Sequence, residues 1–159
     1  AGDLRLVMAV IKTITDLERI GDEAEKIARM AKNIHERGGT QAPPVVEVRH
    51  AAEAAISMLR RTLDCFARLD CDGAAEVIRD DAGIDTEFRS ILRQLITYMM
   101  EDPRTISASI DLIFVAKAIE RIGDHAKNLA EVIIYVVKGT DVRHTSVEAV
   151  ADAVADTVR

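Results

Sequence analysis

The chain is 159 residues long, 48% apolar, 30% charged and 3% aromatic, with a formal net charge of −6. That composition excludes a disordered chain, a collagen and a disulfide scaffold. The acidic balance argues against nucleic acid as a partner, which needs a concentrated positive face. Scarce aromatic residues and three prolines argue against a β-sandwich and for an all-α chain.

The first predicted element is a helix over residues 1–38. Val10, Leu17, Ile20, Ala24, Ala31 and Ile34 fall on one stripe at helical spacing, with Thr13 its one polar member. A rod of about 35 residues at ~1.5 Å each is ~52 Å long. Gly38-Gly39-Thr40-Gln41-Ala42-Pro43-Pro44 then breaks the chain. A second helix is predicted over 45–69, with Ala52, Ala55, Leu59, Leu63 and Phe66 inward. Asp70-Cys71-Asp72-Gly73 reads as a turn with Asp72 as N-cap. The third helix runs over 73–100, with Val77, Ile84, Phe88, Ile91, Leu95 and Tyr98 on its stripe. Asp102-Pro103 supplies a cap and first-turn proline for a fourth helix reaching residue 138. Its stripe is Leu112, Val115, Ile119, Ile122, Ala126, Leu129, Ile133 and Val136. Residues 146–158 form a weak amphipathic tail helix, expected to be frayed. The organisation expected is therefore one long helix over 1–38, a complete antiparallel three-helix bundle over 45–138, and a tail over 139–159.

No apolar run approaches the ~20 residues that span a bilayer. Cys65 and Cys71 match no metal or redox spacing and read as free thiols of a reducing compartment. The expectation is a soluble cytoplasmic helical protein.

The first and fourth helices are copies of one unit. Glu18-Arg19-Ile20-Gly21-Asp22 returns as Glu120-Arg121-Ile122-Gly123-Asp124, and at the same offset Ile11 matches Ile113, Ala24 matches Ala126 and Ala28 matches Ala130. Five consecutive identities without a gap mark a duplication.

In each copy the glutamate and aspartate are four apart, so they share a helix face. That face lies roughly opposite the apolar stripe, and solvation is its plain reading. Two features pull the other way. The same line continues through Ile106, Ile110 and Ile113, or Leu4, Met8 and Ile11, so this face is expected to pack as well. The third helix adds Asp81 and Asp85, and Asp81 sits in the apolar heptad between Val77 and Ile84. A carboxylate there needs a cation, a donor or a raised pKa. Antiparallel packing would bring Asp81, Asp85, Glu120 and Asp124 together, at ~5 Å separation repelling by roughly 3 kcal/mol per pair. A multivalent cation resolves that, and oxygen-only ligation suits Mg²⁺, Mn²⁺, Ca²⁺ or Fe³⁺. Salt bridges from Arg79, Arg121 and Lys117 are the alternative.

A di-iron enzyme would need paired Glu-x-x-His motifs, and Glu47-Val48-Arg49-His50 is the sole match. His125 points about 100° away from Asp124 and reads as a surface residue; His35 and His144 read as solvated. No nucleophilic grouping or phosphate loop is recognisable, so no enzymatic activity is expected. A carboxylate-only metalloenzyme and a plain helical oligomerisation module stay open.

The duplicated motif, the Asp81/Asp85 pair and the Leu95-Ile96-Thr97-Tyr98-Met99-Met100-Glu101-Asp102 segment resemble the PhoU family. So do Leu4-Arg5-Leu6-Val7-Met8 and Val136-Val137-Lys138-Gly139-Thr140-Asp141-Val142-Arg143-His144. The resemblance implies a fold of two similar three-helix bundles with long antiparallel helices. It implies a cytoplasmic regulator, commonly dimeric, that links the phosphate transporter ATPase to a sensor histidine kinase and holds the phosphate-starvation response off. It also implies metal binding, by a divalent or trivalent ion such as Mg, Mn, Fe, Zn or Ca, through E/D-x-x-x-D motifs. Those carry over to Asp81, Asp85, Glu120 and Asp124 in the complete bundle and to Glu18 and Asp22 in the other. The first bundle is represented by its third helix alone, so that helix is expected to pair with another chain.

Overall fold

The computed structural model describes residues 2–37, 42–44 and 46–155. The elements are α1 (Gly2–Glu36), α2 (Val46–Arg68), α3 (Cys71–Glu101), a single 3₁₀ turn (Pro103–Thr105), α4 (Ile106–Lys138) and α5 (Val147–Ala155). The break expected at 38–44 falls largely outside the described residues, of which Ala42–Pro44 belong to it.

Each helix boundary has a local cause. The α2–α3 turn is closed by the Asp70 amide donating to the Cys65 carbonyl at 3.0 Å. Asp70, not Asp72, caps α3, its carboxylate accepting from the Gly73 amide at 3.0 Å; the helix starts earlier than the spacing suggested, and Asp72 lies in its first turn. Asp102 likewise accepts from the Arg104 amide, capping the 3₁₀ turn rather than α4 itself. Gly139 ends α4 at φ 75°, a left-handed stop that a glycine adopts without strain.

The core lies between α2, α3 and α4. Val77, Ile84, Ile91 and Leu95 of α3 meet Val115, Ile119, Ala126 and Ile133 of α4, all buried, as their period predicts. On α2 the expected Ala55 is buried and Ala52, Leu59 and Phe66 pack against the core; the most buried line is Ala51, Ala55, Met58, Thr62 and Cys65, and Leu63, expected inward, is exposed. Thr62 tolerates this because its hydroxyl donates to the Met58 carbonyl at 2.8 Å, leaving an outwardly apolar small side chain.

The first helix is not isolated within the chain. α1 lies antiparallel along α4, with Glu23 beside Arg121 (3.2 Å), Asp16 against His125 (2.8 Å), and the Lys12 ammonium 5.9 Å from the Tyr135 ring centre. Arg37 of the following residue pairs with Asp111 at the other end of α4. Of the expected stripe only its polar member Thr13 is buried, with Ala9 and Glu23 beside it; Ile20 and Ile34 are half-buried, and Val10 and Leu17 are exposed. The second face expected to pack is open too: Leu4 is 69% exposed, and Met8, Ile11, Ile106 and Ile110 are also exposed.

The two glycines of the repeat record the difference between the copies. Gly123 is buried, and a Cβ there would come within 2.9 Å of the Ile84 Cδ1 atom. Around Gly21 no such neighbour lies within 4 Å. The α4 face that α3 covers therefore has an uncovered counterpart on α1. The tail is more ordered than expected, since α5 folds back on α3 and α4 and buries Val150 and Val154.

Candidate functional site

The α3–α4 pairing places the acidic residues of both helices along one groove. Asp81 comes from the buried stripe of α3 and is only 5% exposed; Asp85 follows one turn later and is half-buried. Lys127 of α4 donates to Asp81 at 2.9 Å. Lys117 meets Glu120 at 2.6 Å and rests 5.2 Å from the Phe88 ring centre. These lysines hold the groove together as contacts between α4 and α3. Of the three cations expected to serve, Lys117 does so. Arg121 reaches instead across to Glu23 on α1, and Arg79 has no ion pair among the described residues.

Asp85 and Asp124 have no such partner among the described residues. Asp124 is exposed at the rim of the groove; partial desolvation of its carboxyl, and then the carboxylates of Glu120, Asp81 and Asp85, push it above the ordinary carboxylate range, against the pull of Lys117. The four acids are thus electrostatic neighbours. Lys127 is pushed up by its bond to Asp81, the expected response of an ammonium gaining an anionic partner. On α1, Glu18 and Asp22 are exposed, away from this groove.

The donor set suits a hard cation in kind, being all oxygen. Among the described residues, no group of three or more His, Cys, Asp or Glu side chains is arranged to hold a metal ion. Lys127 on Asp81 and Lys117 on Glu120 occupy two of the four carboxylates in this arrangement.

The groove opens into a basin of about 590 Å³ between α3, α4, α5 and the 139–146 connection. Asp81, Asp85 and Asp124 line one end; Glu131, Arg143, His144 and Thr145 line the other. Several of these residues escaped the sequence reading. Glu131 is 8% exposed, inside the apolar run of α4, and burial pushes its carboxyl up. Its position among Leu129, Ile133 and Ile134 was the available signal. Glu23 and Asp111 are buried as well, Glu23 facing Arg121 of α4 and Asp111 facing Arg37, the residue that follows α1. His125, expected at the surface, is half-buried on Asp16.

The description "PhoU domain" matches residues 1–31 and 48–133. A relative from Pseudomonas putida, named phosphate-specific transport system accessory protein PhoU homolog, is 48% identical over 99% of this chain and 61% of its own length. The phosphate-specific transport system accessory protein PhoU of Escherichia coli (strain K12) is 48% identical over 91% of this chain and 59% of its own. The crystal structure of PhoU from Pseudomonas aeruginosa superposes with a TM-score of 0.83 at 48% identity, covering 88% of this chain and 66% of that one. That of the phosphate transport system regulatory protein PhoU from Streptococcus pneumoniae gives 0.80 at 24% identity, a likeness of fold alone. The chain spans about three-fifths of the length of the curated relatives it matches.

Proposed function

The chain belongs to the PhoU family, and on that premise we propose that it is a cytoplasmic regulatory adaptor of phosphate uptake that works by contact and performs no chemistry. It holds down the high-affinity transporter and the phosphate-starvation response by linking the transporter ATPase to a sensor histidine kinase. The observation that carries this reading is the family match across both copies of the repeat. No helix of the described residues is long and apolar enough to cross a membrane. The test is a phosphate-starvation reporter in a bacterium deleted for its own PhoU relative. Expression of this chain restores repression in high phosphate; a reporter that stays fully on removes the proposal.

The acidic groove supplies a second element of this reading. Asp81, Asp85, Glu120 and Asp124 would hold a divalent or trivalent cation, which would neutralise the groove and bridge it to acidic or phosphate groups on a partner. The support is the nearness of the four carboxylates, which adds to desolvation in pushing the Asp124 carboxyl up. Glu18 and Asp22 would act the same way once a neighbouring chain covers α1. Mn²⁺ at 100 times its dissociation constant raises folding stability by about 2.7 kcal/mol, and a chelator reverses the gain. A melting temperature indifferent to Mn²⁺ removes the cation and leaves the adaptor.

The uncovered face of α1 is assigned to a second copy of this chain. Leu4, Val7, Met8, Ile11 and Ile14 are all exposed, Ile14 by 60%, a contiguous apolar line of the kind that marks an interface. Sedimentation as a stable monomer at micromolar concentration contradicts a dimer.

A further inference from the structure

The C-terminal segment is built differently from the bundle it lies on. α5 has nine residues, fewer than a helix needs to hold its shape alone in water, so its turns depend on what they rest against. Val147 and Val150 line the basin with Ile78, while Ala151, Val154 and Ala155 line a second cavity of about 220 Å³ with Asp72, Ala75 and Glu76. The short helix therefore runs antiparallel to α3, with open volume at either end. Ile78 and Ala75 stand about 100° and 160° around α3 from Val77, off the stripe that meets α4. Both are nonetheless buried, and α5 is the element that covers them.

The connection into α5 turns sharply at two places. Gly139 at φ 75° and His144 at φ 60° are both left-handed, and a non-glycine residue occupies that region at a cost. The hydrogen bonds of this connection are short-range. The Thr145 hydroxyl donates to the Val142 carbonyl at 2.6 Å, Arg143 pairs with Asp141, and the Ala149 amide donates to the Ser146 hydroxyl at 3.2 Å. Such bonds travel with the segment when it moves. Val142, Val150 and Val154, all buried, are its apolar hold on the bundle. Val142, Arg143, His144 and Thr145 supply one wall of the basin. Glu131 lies against that wall and lines cavities shared with Arg143 on both sides.

A terminal segment with few apolar anchors and bonds of its own opens at much less cost than the whole fold. We propose that residues 139–155 form a displaceable strap, closed in this structure along the basin and opening as one unit about Gly139. Closed, it shields Ala75 and Ile78 of α3 and walls in the basin that Asp81 and Glu131 line; open, it gives access to both. The strap moves without a cation or a partner protein, so its failure and that of the adaptor or cation readings are separate results.

The experiment is thiol labelling and amide hydrogen exchange of the 159-residue chain carrying Ala75→Cys, with sites resolved by mass spectrometry. The cavity beside Ala75 leaves room for the sulfur. The new thiol reacts at least about 100-fold faster than that of Cys65, which lies in the core, and at least about tenfold slower than the same thiol in urea. The α5 amides exchange together, at least about 100-fold faster than those of residues 119–133. Val150→Asp removes one of the two α5 anchors and raises labelling at position 75 by about tenfold or more, while exchange over 119–133 stays within about threefold of the parent's. A thiol at position 75 no faster than Cys65, α5 amides protected as strongly as residues 119–133, or labelling unchanged by Val150→Asp overturns the proposal. A position-75 thiol that reacts at the urea rate overturns it as well, because the strap is then not closed. The parent's own exchange pattern decides the matter where a variant fails to fold.

Discussion

The copied glycines offer a comparison in which one substitution made twice has opposite signs. Replacing a helix-interior glycine by alanine gains about 1 kcal/mol of helix propensity. At Gly21 nothing lies within 4 Å of the added methyl group, so Gly21→Ala keeps most of that gain. At Gly123 the methyl arrives 2.9 Å from the Ile84 Cδ1 atom, so Ile84, 3% exposed, has to leave its position and turn toward the cavity it lines with Met58 and Arg61. Overpacking of this kind costs about 1–3 kcal/mol, so Gly123→Ala is destabilised by about 1 kcal/mol after the propensity gain. The two variants differ by about 2 kcal/mol, or about 4–8 °C in melting temperature for a chain of this size. Ile84→Val removes the clashing carbon, because the remaining Ile84 atoms lie at 3.5 and 3.8 Å. In a double-mutant cycle it recovers about 1 kcal/mol or more of the Gly123→Ala loss. Thermal and urea unfolding of the parent, the three single variants and the double variant decide the matter. Equal effects at both glycines, or additivity between Gly123→Ala and Ile84→Val, would refute the claim that one copy is covered and the other open.

Other consequences are open to simpler checks. Lys127→Ala leaves Asp81 buried without its cation; because the lysine is partly exposed, the loss expected is about 2 kcal/mol in urea unfolding rather than the full cost of breaking a buried pair, and a loss below about 0.5 kcal/mol contradicts the pairing. The carboxyls of Asp124 and Glu131 are pushed up in the folded chain, so the folded state binds more protons than the unfolded one. Stability falls as pH rises from the ordinary carboxylate value through the folded value. Asp124→Asn therefore raises the melting temperature at pH 7 and reduces the gain seen on acidification toward pH 5; a variant with an unchanged pH profile argues against crowding at Asp124. Burial pushes the Cys65 and Cys71 thiols up, so native protein reacts with a thiol reagent far more slowly than protein in urea, and equal rates contradict their burial.

Much of the architecture was legible because α3 and α4 are amphipathic over many turns. Val77, Ile84, Ile91 and Leu95 are where a 3.6-residue period puts them, and the duplicated motif located both long helices. On α2 only Leu63 fails the expectation, because close approach to α3 and α4 selects alanine, threonine and cysteine, which score poorly as apolar markers beside a leucine. The α1–α4 seam was illegible for another reason. It is laced by Asp16–His125, Glu23–Arg121 and Arg37–Asp111, pairs separated by 74 to 109 residues in the chain. Helical spacing reports neighbours one turn away and is silent about those. The same holds in the groove, where Asp81 was suspect from its heptad position but its partner Lys127 was not foreseeable. Glu131 was passed over because the apolar run around it dominated the reading.

The adaptor assignment is tested most directly by equilibrium binding of the purified chain to the ATPase subunit of a phosphate transporter and to the sensor region of its cognate histidine kinase. Saturable binding to the transporter subunit, to the kinase region, or to both is the result expected. Binding to neither, by a chain whose melting curve shows it folded, contradicts the account.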